Sequence, residues 1–121
     1  MATQLMTTRE VFDHHIQALG KGDIEDLLSD YTNDSFVIGP DGVVKGLAAI
    51  RATFDIYLSG LLKPGTYEFS LDKLHVEGDT VLVMWHAKCM GADITFAADT
   101  FIVRNGKIAV QTFAPQLNFH A

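Results

Sequence analysis

Asp99 is the residue of this sequence whose position points most directly to chemistry. It lies in the apolar segment 96–103, where a β-strand would place it on the same face as Ala97 and Phe101. A carboxylate on an apolar face must be paired, hydrogen-bonded or protonated, because burying an isolated charge is unfavourable by several kcal/mol. Two interpretations follow: an exposed aspartate of an edge strand, or a pocket carboxyl with a raised pKa that acts as acid, base or hydrogen-bond donor.

His15 is a second candidate, because it follows the apolar spacing of Val11, Phe12 and Leu19 in a predicted helix. An inward histidine is either a core residue with locally bonded ring nitrogens or a polar group that faces a cavity. The neighbouring His14 points about 100° away and falls on the polar side, so the two rings cannot share a metal ion from this helix.

The face on which His86 lies depends on a hairpin register. If the reversal at residues 90–93 is a two- or four-residue turn, the even-numbered residues Met84 and His86 share the face of Asp99. An apolar stripe suited to dimer packing then occupies the other face: Val81, Val83, Trp85 and Cys89. A three-residue turn with a bulge would instead bring Trp85 inward. We take the first register as the prediction.

Helical spacing dominates the first half of the chain. An amphipathic helix is predicted over residues 9–19, and the Gly-Lys-Gly segment at 20–22 ends it. Asp23 caps a short second helix whose buried stripe extends to Tyr31. After a short hairpin about the turn at residues 39–42, a third helix runs from Leu47 to about residue 59.

From residue 67 onward the apolar period is two, which is typical of strands. Turn signals at 77–79, 90–93 and Asn105-Gly106 separate four strands joined by hairpins. The sequence therefore predicts one α+β domain, residues 1–121, with three N-terminal helices packed on one face of a curved antiparallel sheet.

Composition excludes several classes of function. The chain has 121 residues and a net charge of −6, which argues against nucleic acid and anionic membranes as partners. Its apolar stretches fall short of the roughly 18 residues that a membrane span needs. The N-terminus lacks the pattern of a secretory signal, so we expect a cytoplasmic protein. With one cysteine and dispersed histidines, we expect neither a metal site nor a cofactor.

Four segments, in their order and spacing, resemble the nuclear transport factor 2-like superfamily: ALGKGD at 18–23, NDSFV at 33–37, GVVKG at 42–46 and DTFIVRNGKI at 99–108. Within that superfamily, the chain resembles the branch of ketosteroid isomerase and the SnoaL-like polyketide cyclases. The resemblance implies a cystatin-like cone, in which the helices and the concave sheet face enclose one apolar pocket for a small hydrophobic molecule.

The resemblance also implies roles for three residues. Ketosteroid isomerase uses an aspartate base with an oxyanion hole made of a tyrosine and a protonated aspartate. Asp99 falls at the position of that protonated aspartate, His15 at that of the tyrosine and Gly39 at that of the base. Since Gly39 offers no carboxylate, standard ketosteroid isomerase activity is not expected. The SnoaL-like cyclases, which use an aspartate and a histidine, are the better match.

Two functions are open on this basis. One is a cofactor-free isomerase, cyclase or lyase acting on a hydrophobic carbonyl compound through Asp99 with His15 or His86. Its substrate would contact Tyr31, Phe54, Tyr57, Met84, Phe101 and Gln111. The other is a non-catalytic dimeric module for ligand binding or protein interaction, suggested by Gly39 and by the apolar stripe. In either case we expect a homodimer formed through the outer face of the sheet.

Overall fold

The computed structural model describes residues 5–120 and has an α+β architecture of three helices and one six-stranded sheet. The helices are α1 (Thr8–Lys21), α2 (Ile24–Leu28) and α3 (Leu47–Leu58). The strands are β1 (Tyr31–Gly39), β2 (Gly42–Lys45), β3 (Glu68–Glu77), β4 (Thr80–Lys88), β5 (Ala92–Arg104) and β6 (Lys107–Phe119). This confirms the predicted fold class. Of the predicted domain 1–121, residues 1–4 and 121 lie outside the described residues.

The helix α1 is bounded by strong signals at both ends. Thr7 and Glu10 form a reciprocal capping box, in which each side chain accepts a hydrogen bond from the other residue's backbone N–H. Gly22 ends the helix in a left-handed conformation (φ 70°), which a glycine adopts without strain. Between these two ends, the helix buries the side chains of Val11 and His15 on its inner face.

The sheet has the strand order β2-β1-β6-β5-β4-β3. Strands β3 to β6 form the predicted antiparallel meander, and Asn105 and Gly106 both have positive φ in its last turn. The antiparallel prediction holds for this meander, whereas the six-stranded sheet is mixed, because β1 pairs with β6 in parallel. Hairpin signals reveal only strands that are neighbours in sequence, whereas β1 and β6 are distant along the chain.

Tyr31 belongs to β1 and not to the stripe of α2, which corrects the predicted extent of that helix. The helix α2 ends at Leu28, and Ser29 caps it. Tyr31 therefore begins β1, opposite Ile108 of β6. As a result its ring is buried at the centre of the molecule and does not pack along the helix.

A bulge in β5 overturns the predicted register of the β4–β5 hairpin. The ladder begins with Lys88 opposite Asp93, as a four-residue turn requires. His86 then lies against two residues of β5, Thr95 and Phe96, and this extra residue shifts the register by one. A one-residue shift exchanges the two faces of a strand.

Trp85 consequently points toward the helices, whereas Met84 and His86 point outward. The stripe predicted for the outer face lies on the inner face, where Val81, Val83, Trp85 and Cys89 are all buried. Val83 stands opposite Asp99 on this face. The register therefore decides which side chains reach Asp99.

Candidate functional site

Asp99 is buried on the inner face of the sheet and holds two hydrogen bonds. The indole Nε1–H of Trp85 donates to Oδ1 at 3.0 Å, and the amide Nε2–H of Gln111 donates to Oδ2 at 3.2 Å. Gln111 is placed there because it lies two residues from Phe113, the register partner of Asp99 on β6. Only 6% of Asp99 is exposed, so the interpretation as an exposed edge residue is wrong.

Burial raises the pKa of Asp99 to about 6, while the hydrogen bonds from Trp85 and Gln111 oppose this effect. The cause is desolvation, which disfavours the charged form of a carboxyl group. A carboxyl with such a pKa exchanges protons readily near neutral pH, as a general acid or base must.

Two further polar side chains extend from Asp99 into the core. Tyr31 donates its hydroxyl proton to Oε1 of Gln111, and this hydroxyl lies 3.4 Å from Nδ1 of His15. The pKa of His15 is lowered to about 3, chiefly by burial, and its imidazole is therefore neutral at physiological pH. We call His15, Tyr31, Gln111 and Asp99 the His15–Asp99 chain.

A cavity of about 300 Å³ opens against this chain between the helices and the inner face of the sheet. Trp85 and Phe113 form one wall, with their rings nearly parallel (10°) and 6.1 Å apart, and Tyr57 contacts Phe113 edge-on. The lining also includes Val37, Ile50, Phe54, Leu62 and the β1–β2 turn at residues 39–42. A smaller space of about 30 Å³ adjoins it between His15, Trp85, Asp99 and Phe101.

The structure brings together most of the residues that the sequence indicated. His15, Phe54, Tyr57, Asp99 and Gln111 line the cavity of about 300 Å³. Two others lie next to it: Phe101 borders the smaller space, and Tyr31 is buried behind Gln111.

His86 and Met84 are not at the site, which corrects both predictions. The bulge in β5 turns them to the outer face, where Nδ1 of His86 lies 2.8 Å from Oδ2 of Asp72. Of the two histidines considered as partners of Asp99, the geometry retains His15.

Trp85 is the site residue that the predicted register missed. The signal was present as the alternative register, in which a bulge brings Trp85 inward. Phe113 was also missed, although its spacing of two from Gln111 puts both on the same face.

Gly39 lies at the cavity mouth, in the position that the resemblance assigns to a catalytic base. A Cβ built there would meet nothing nearer than the Phe113 carbonyl oxygen at 3.9 Å. The neighbouring Asp41 is exposed in the turn. Within the cavity, then, the buried carboxyl is that of Asp99.

Residues 5–120 contain neither a cluster of metal-ligating side chains nor a membrane-spanning helix. No three His, Cys, Asp or Glu side chains in that range are grouped so that they would hold a metal ion. In the same range, no helix combines the length and the apolar character that crossing a bilayer requires.

A family model described as the SnoaL-like domain matches residues 12–111. That range includes His15, Asp99 and the whole cavity wall up to Gln111. A search of curated protein sequences finds no significant match.

Three solved structures resemble the chain over most of its length. A candidate polyketide cyclase from Sinorhizobium meliloti is 17% identical, with a TM-score of 0.75 over 89% of this chain and 99% of that one. A candidate ketosteroid isomerase from Kribbella flavida is 15% identical, with a TM-score of 0.75 over 94% and 81%. TerC, crystallised with polyporic acid, is 18% identical, with a TM-score of 0.74 over 90% and 91%.

At these low sequence identities, the TM-scores establish a shared fold and nothing further. Other structures with the same fold are described as NTF2-like and as cystatin-like. Together with the family model, they confirm the resemblance that the sequence segments indicated.

Proposed function

Because the chain belongs to the SnoaL-like domain family, we propose that its cavity binds a small hydrophobic carbonyl compound and that Asp99 exchanges a proton with it. The reaction class is a cofactor-free isomerisation, cyclisation or lyase reaction, in which a proton is removed beside a carbonyl group and returned elsewhere. The observation that carries the proposal is the buried Asp99 carboxyl on the wall of an otherwise apolar cavity.

Several features support Asp99 as the proton-exchanging group. Its two oxygens are held by Trp85 and Gln111, so the carboxyl is oriented before a ligand arrives. Its pKa of about 6 leaves both protonation states accessible near neutrality. His15 complements it as a neutral imidazole on the same cavity wall.

The cavity favours a flat, largely apolar ligand. The parallel rings of Trp85 and Phe113 present an aromatic surface, and Phe54 and Ile50 add apolar contacts from α3. A ligand bound there would place its polar atom at Asp99, where the buried polar groups of the cavity converge. Polyporic acid was co-crystallised with TerC, a protein of the same fold, and is therefore a suitable first probe.

Binding and chemistry are tested separately. Polyporic acid and a panel of cyclic monoketones are titrated against the wild-type protein, and quenching of the single tryptophan, Trp85, reports binding. Each ketone that binds is then incubated in D2O with and without protein, and exchange of its α-hydrogens is followed by proton NMR. We expect exchange with wild-type protein and its loss in Asp99→Asn, which keeps the size of the side chain.

A non-catalytic binding module is the second candidate function, and Gly39 is the observation that favours it. Without a carboxylate at that position, the cavity lacks the second acid–base group of ketosteroid isomerase. This function predicts that wild-type protein and Asp99→Asn bind the panel alike and that neither exchanges deuterium.

We also propose that two copies of the chain associate through the outer face of the sheet. Alternation places partly exposed apolar side chains at the centre of that face: Leu82, Met84, Phe96, Ala98, Ile102 and Val110. Phe96 is 44% exposed there. Light scattering at micromolar concentration is expected to show a dimer, and Phe96→Glu a monomer. Phe119→Glu is the matched control, since Phe119 pairs with the buried Ala92 and so lies on the other face.

A further inference from the structure

The His15–Asp99 chain is a continuous series of hydrogen bonds with a defined direction. Tyr31 donates its proton to Oε1 of Gln111, and Gln111 in turn donates from Nε2 to Oδ2 of Asp99. The oxygen of Tyr31 is then free to accept a hydrogen bond from Nδ1–H of His15. All donors therefore point toward Asp99, which is the arrangement that an ionised carboxylate requires.

This direction determines which nitrogen of His15 carries its single proton. A neutral imidazole that donates from Nδ1 has a lone pair on Nε2. Nε2 makes no hydrogen bond to residues 5–120, yet no side-chain nitrogen in that range is both fully buried and without a partner. The lone pair of Nε2 therefore faces open space, and His15 borders both the main and the smaller cavity.

Protonation of Asp99 reverses the donor and acceptor roles that each hydrogen bond of the chain requires. A carboxyl O–H on Oδ2 directed at Nε2 of Gln111 would set two donors against each other, so a proton there requires an acceptor in place of the amide N–H. The amide of Gln111 is nearly symmetric in shape, so a half-turn presents Oε1 to Asp99 and Nε2–H to Tyr31. Tyr31 then donates to Nδ1 of His15, which must hold its proton on Nε2.

We propose that Gln111 and Tyr31 couple the protonation state of Asp99 to the tautomer of His15. When Asp99 is ionised, His15 presents an acceptor to the cavity, and when Asp99 is protonated, His15 presents a donor. The net change is one proton taken up by Asp99. Tyr31 keeps one proton and Gln111 keeps both amide hydrogens. His15 also holds one proton in both states, but it loses the proton on Nδ1 and gains one on Nε2 by exchange with water that enters the cavity, so the chain transmits hydrogen-bond orientation and no net charge. This inference rests on the proposed acid–base role of Asp99.

The coupling would change the hydrogen-bonding role of His15 when the ligand loses a proton. A proton removed from a carbonyl compound by Asp99 leaves negative charge on the ligand oxygen. The same event turns His15 into a hydrogen-bond donor, which stabilises an enolate whose oxygen lies near Nε2.

Few other titratable side chains within residues 5–120 face this chain. Tyr57 of α3 and Tyr67 before β3 line the cavities, and burial raises the pKa of each, so both stay protonated at neutral pH. Asp41 borders the cavity mouth. Behind His15, the charge of His14 lowers the His15 pKa further, and that of Asp30 acts on Tyr31.

Nitrogen-15 NMR of the histidine rings tests the coupling without a ligand. Protonated and unprotonated ring nitrogens have well-separated shifts, so the tautomer of His15 can be followed from about pH 4 to about pH 8 while the Asp99 carboxyl carbon is titrated in parallel. We expect His15 to change from the Nε2–H to the Nδ1–H form at the midpoint of Asp99. His14 is an internal control, because the hydrogen bond from its ring to Asp30 raises its pKa and favours the imidazolium, which holds protons on both ring nitrogens.

Two variants interrupt the connection between Asp99 and His15, and Asp41→Asn is the control for a carboxyl outside the chain. Tyr31→Phe keeps the buried ring but removes the hydroxyl, and Gln111→Met keeps the length but removes the amide. In both variants, the His15 tautomer should no longer change with the protonation state of Asp99. In Asp41→Asn, it should change as in the wild type.

Two results would overturn the coupling: one His15 tautomer throughout the titration of Asp99, or an unchanged switch in Tyr31→Phe. Neither result would affect ligand binding or deuterium exchange, so failure of the coupling is distinct from failure of the proposed function.

Discussion

The indole N–H of Trp85 donates a hydrogen bond to Oδ1 of Asp99 at 3.0 Å. This contact joins two neighbouring strands across the inner face of the sheet, and the bulge at Thr95 and Phe96 makes it possible. It also places the single tryptophan of the chain beside the carboxyl that the proposed chemistry uses. Trp85 is therefore a built-in reporter of the ionisation of Asp99.

The fluorescence of Trp85 should titrate with Asp99. Ionisation places a negative charge against the indole N–H, which changes the emission of the ring, and the midpoint should lie at about 6. The measurement is a pH titration of the emission spectrum of the wild-type protein. Asp99→Asn should abolish the transition, whereas His86→Ala, on the outer face, should leave it in place. A transition that depends on His86 and not on Asp99 would contradict the register.

Asp99→Asn should stabilise the protein relative to the wild type increasingly as pH rises. Burial raises the pKa of Asp99 to about 6, so the folded state holds its proton where the unfolded chain, with a pKa of about 3.9, has lost it. Stability from this group is fully present below about pH 3.9, falls as pH rises to about 6, and stays constant at higher pH. For this buried group the loss amounts to about 2–3 kcal/mol.

Urea denaturation of both proteins from about pH 4 to about pH 8 measures this difference. The free energy of unfolding of Asp99→Asn minus that of the wild type should grow up to about pH 6 and level off above it. The same comparison with Asp41→Asn, which removes an exposed carboxyl, should stay flat. A difference for Asp99→Asn that does not vary with pH would mean that its carboxyl is not desolvated.

His14 should contribute stability that is lost in alkaline solution. Its ring bridges Oδ2 of Asp30 at 2.7 Å and Oδ1 of Asp26 at 2.9 Å, which ties α1 to α2 and to the start of β1. The hydrogen bond to Asp30 raises the His14 pKa most. A histidine pKa that is raised on folding stabilises the protein fully below its unfolded value of about 6.5, and the contribution disappears as pH rises through the folded value.

His14→Gln should therefore be most destabilised at mildly acidic pH. It leaves the buried carboxyl of Asp30 without its charged partner, a loss of about 1–3 kcal/mol. Thermal denaturation from about pH 5 to about pH 9 measures the effect, which should shrink toward alkaline pH. Asp26→Asn is the comparison, and its effect should be smaller because that side chain is 42% exposed. Equal effects of the two variants would argue against the burial of Asp30 as the cause.

The sequence predicted the elements of the fold better than the way in which they pair. Capping residues such as Thr7 and Gly22, and the turn at Asn105-Gly106, act over a few residues and can be read locally. The parallel pairing of β1 with β6 depends on packing between distant segments. No local signal sets its direction.

The site residues, too, could be predicted from the sequence only where the signal was local. Asp99 stood out because a carboxylate in an apolar strand needs an explanation, and His15 because it interrupts an apolar helix face. The choice between His86 and Trp85 depended on one extra residue in β5. A bulge leaves little trace in a sequence whose alternation continues on either side of it.

Gly39→Asp should install a second carboxyl that interacts with Asp99. A side chain fits at Gly39, where a new Cβ would lie 3.9 Å from the Phe113 carbonyl oxygen. Both positions line the same cavity, and a like charge within it raises the pKa of a neighbouring carboxyl. The midpoint of the Trp85 fluorescence titration should therefore move to higher pH. Gly39→Asn is the matched control, because it adds similar volume without charge and should leave the midpoint unchanged.

The same variant tests what the cavity lacks as a catalyst. The resemblance to ketosteroid isomerase assigns the base to the position of Gly39, and a well-placed general base accelerates proton removal by about 10²-fold or more. Gly39→Asp should raise the rate of deuterium exchange into a bound cyclic ketone by at least that factor over Gly39→Asn. Equal rates, together with an unshifted Trp85 midpoint, would show that the new carboxylate turns to solvent. Equal rates with a shifted midpoint would show that a carboxylate inside the cavity does not act as the base.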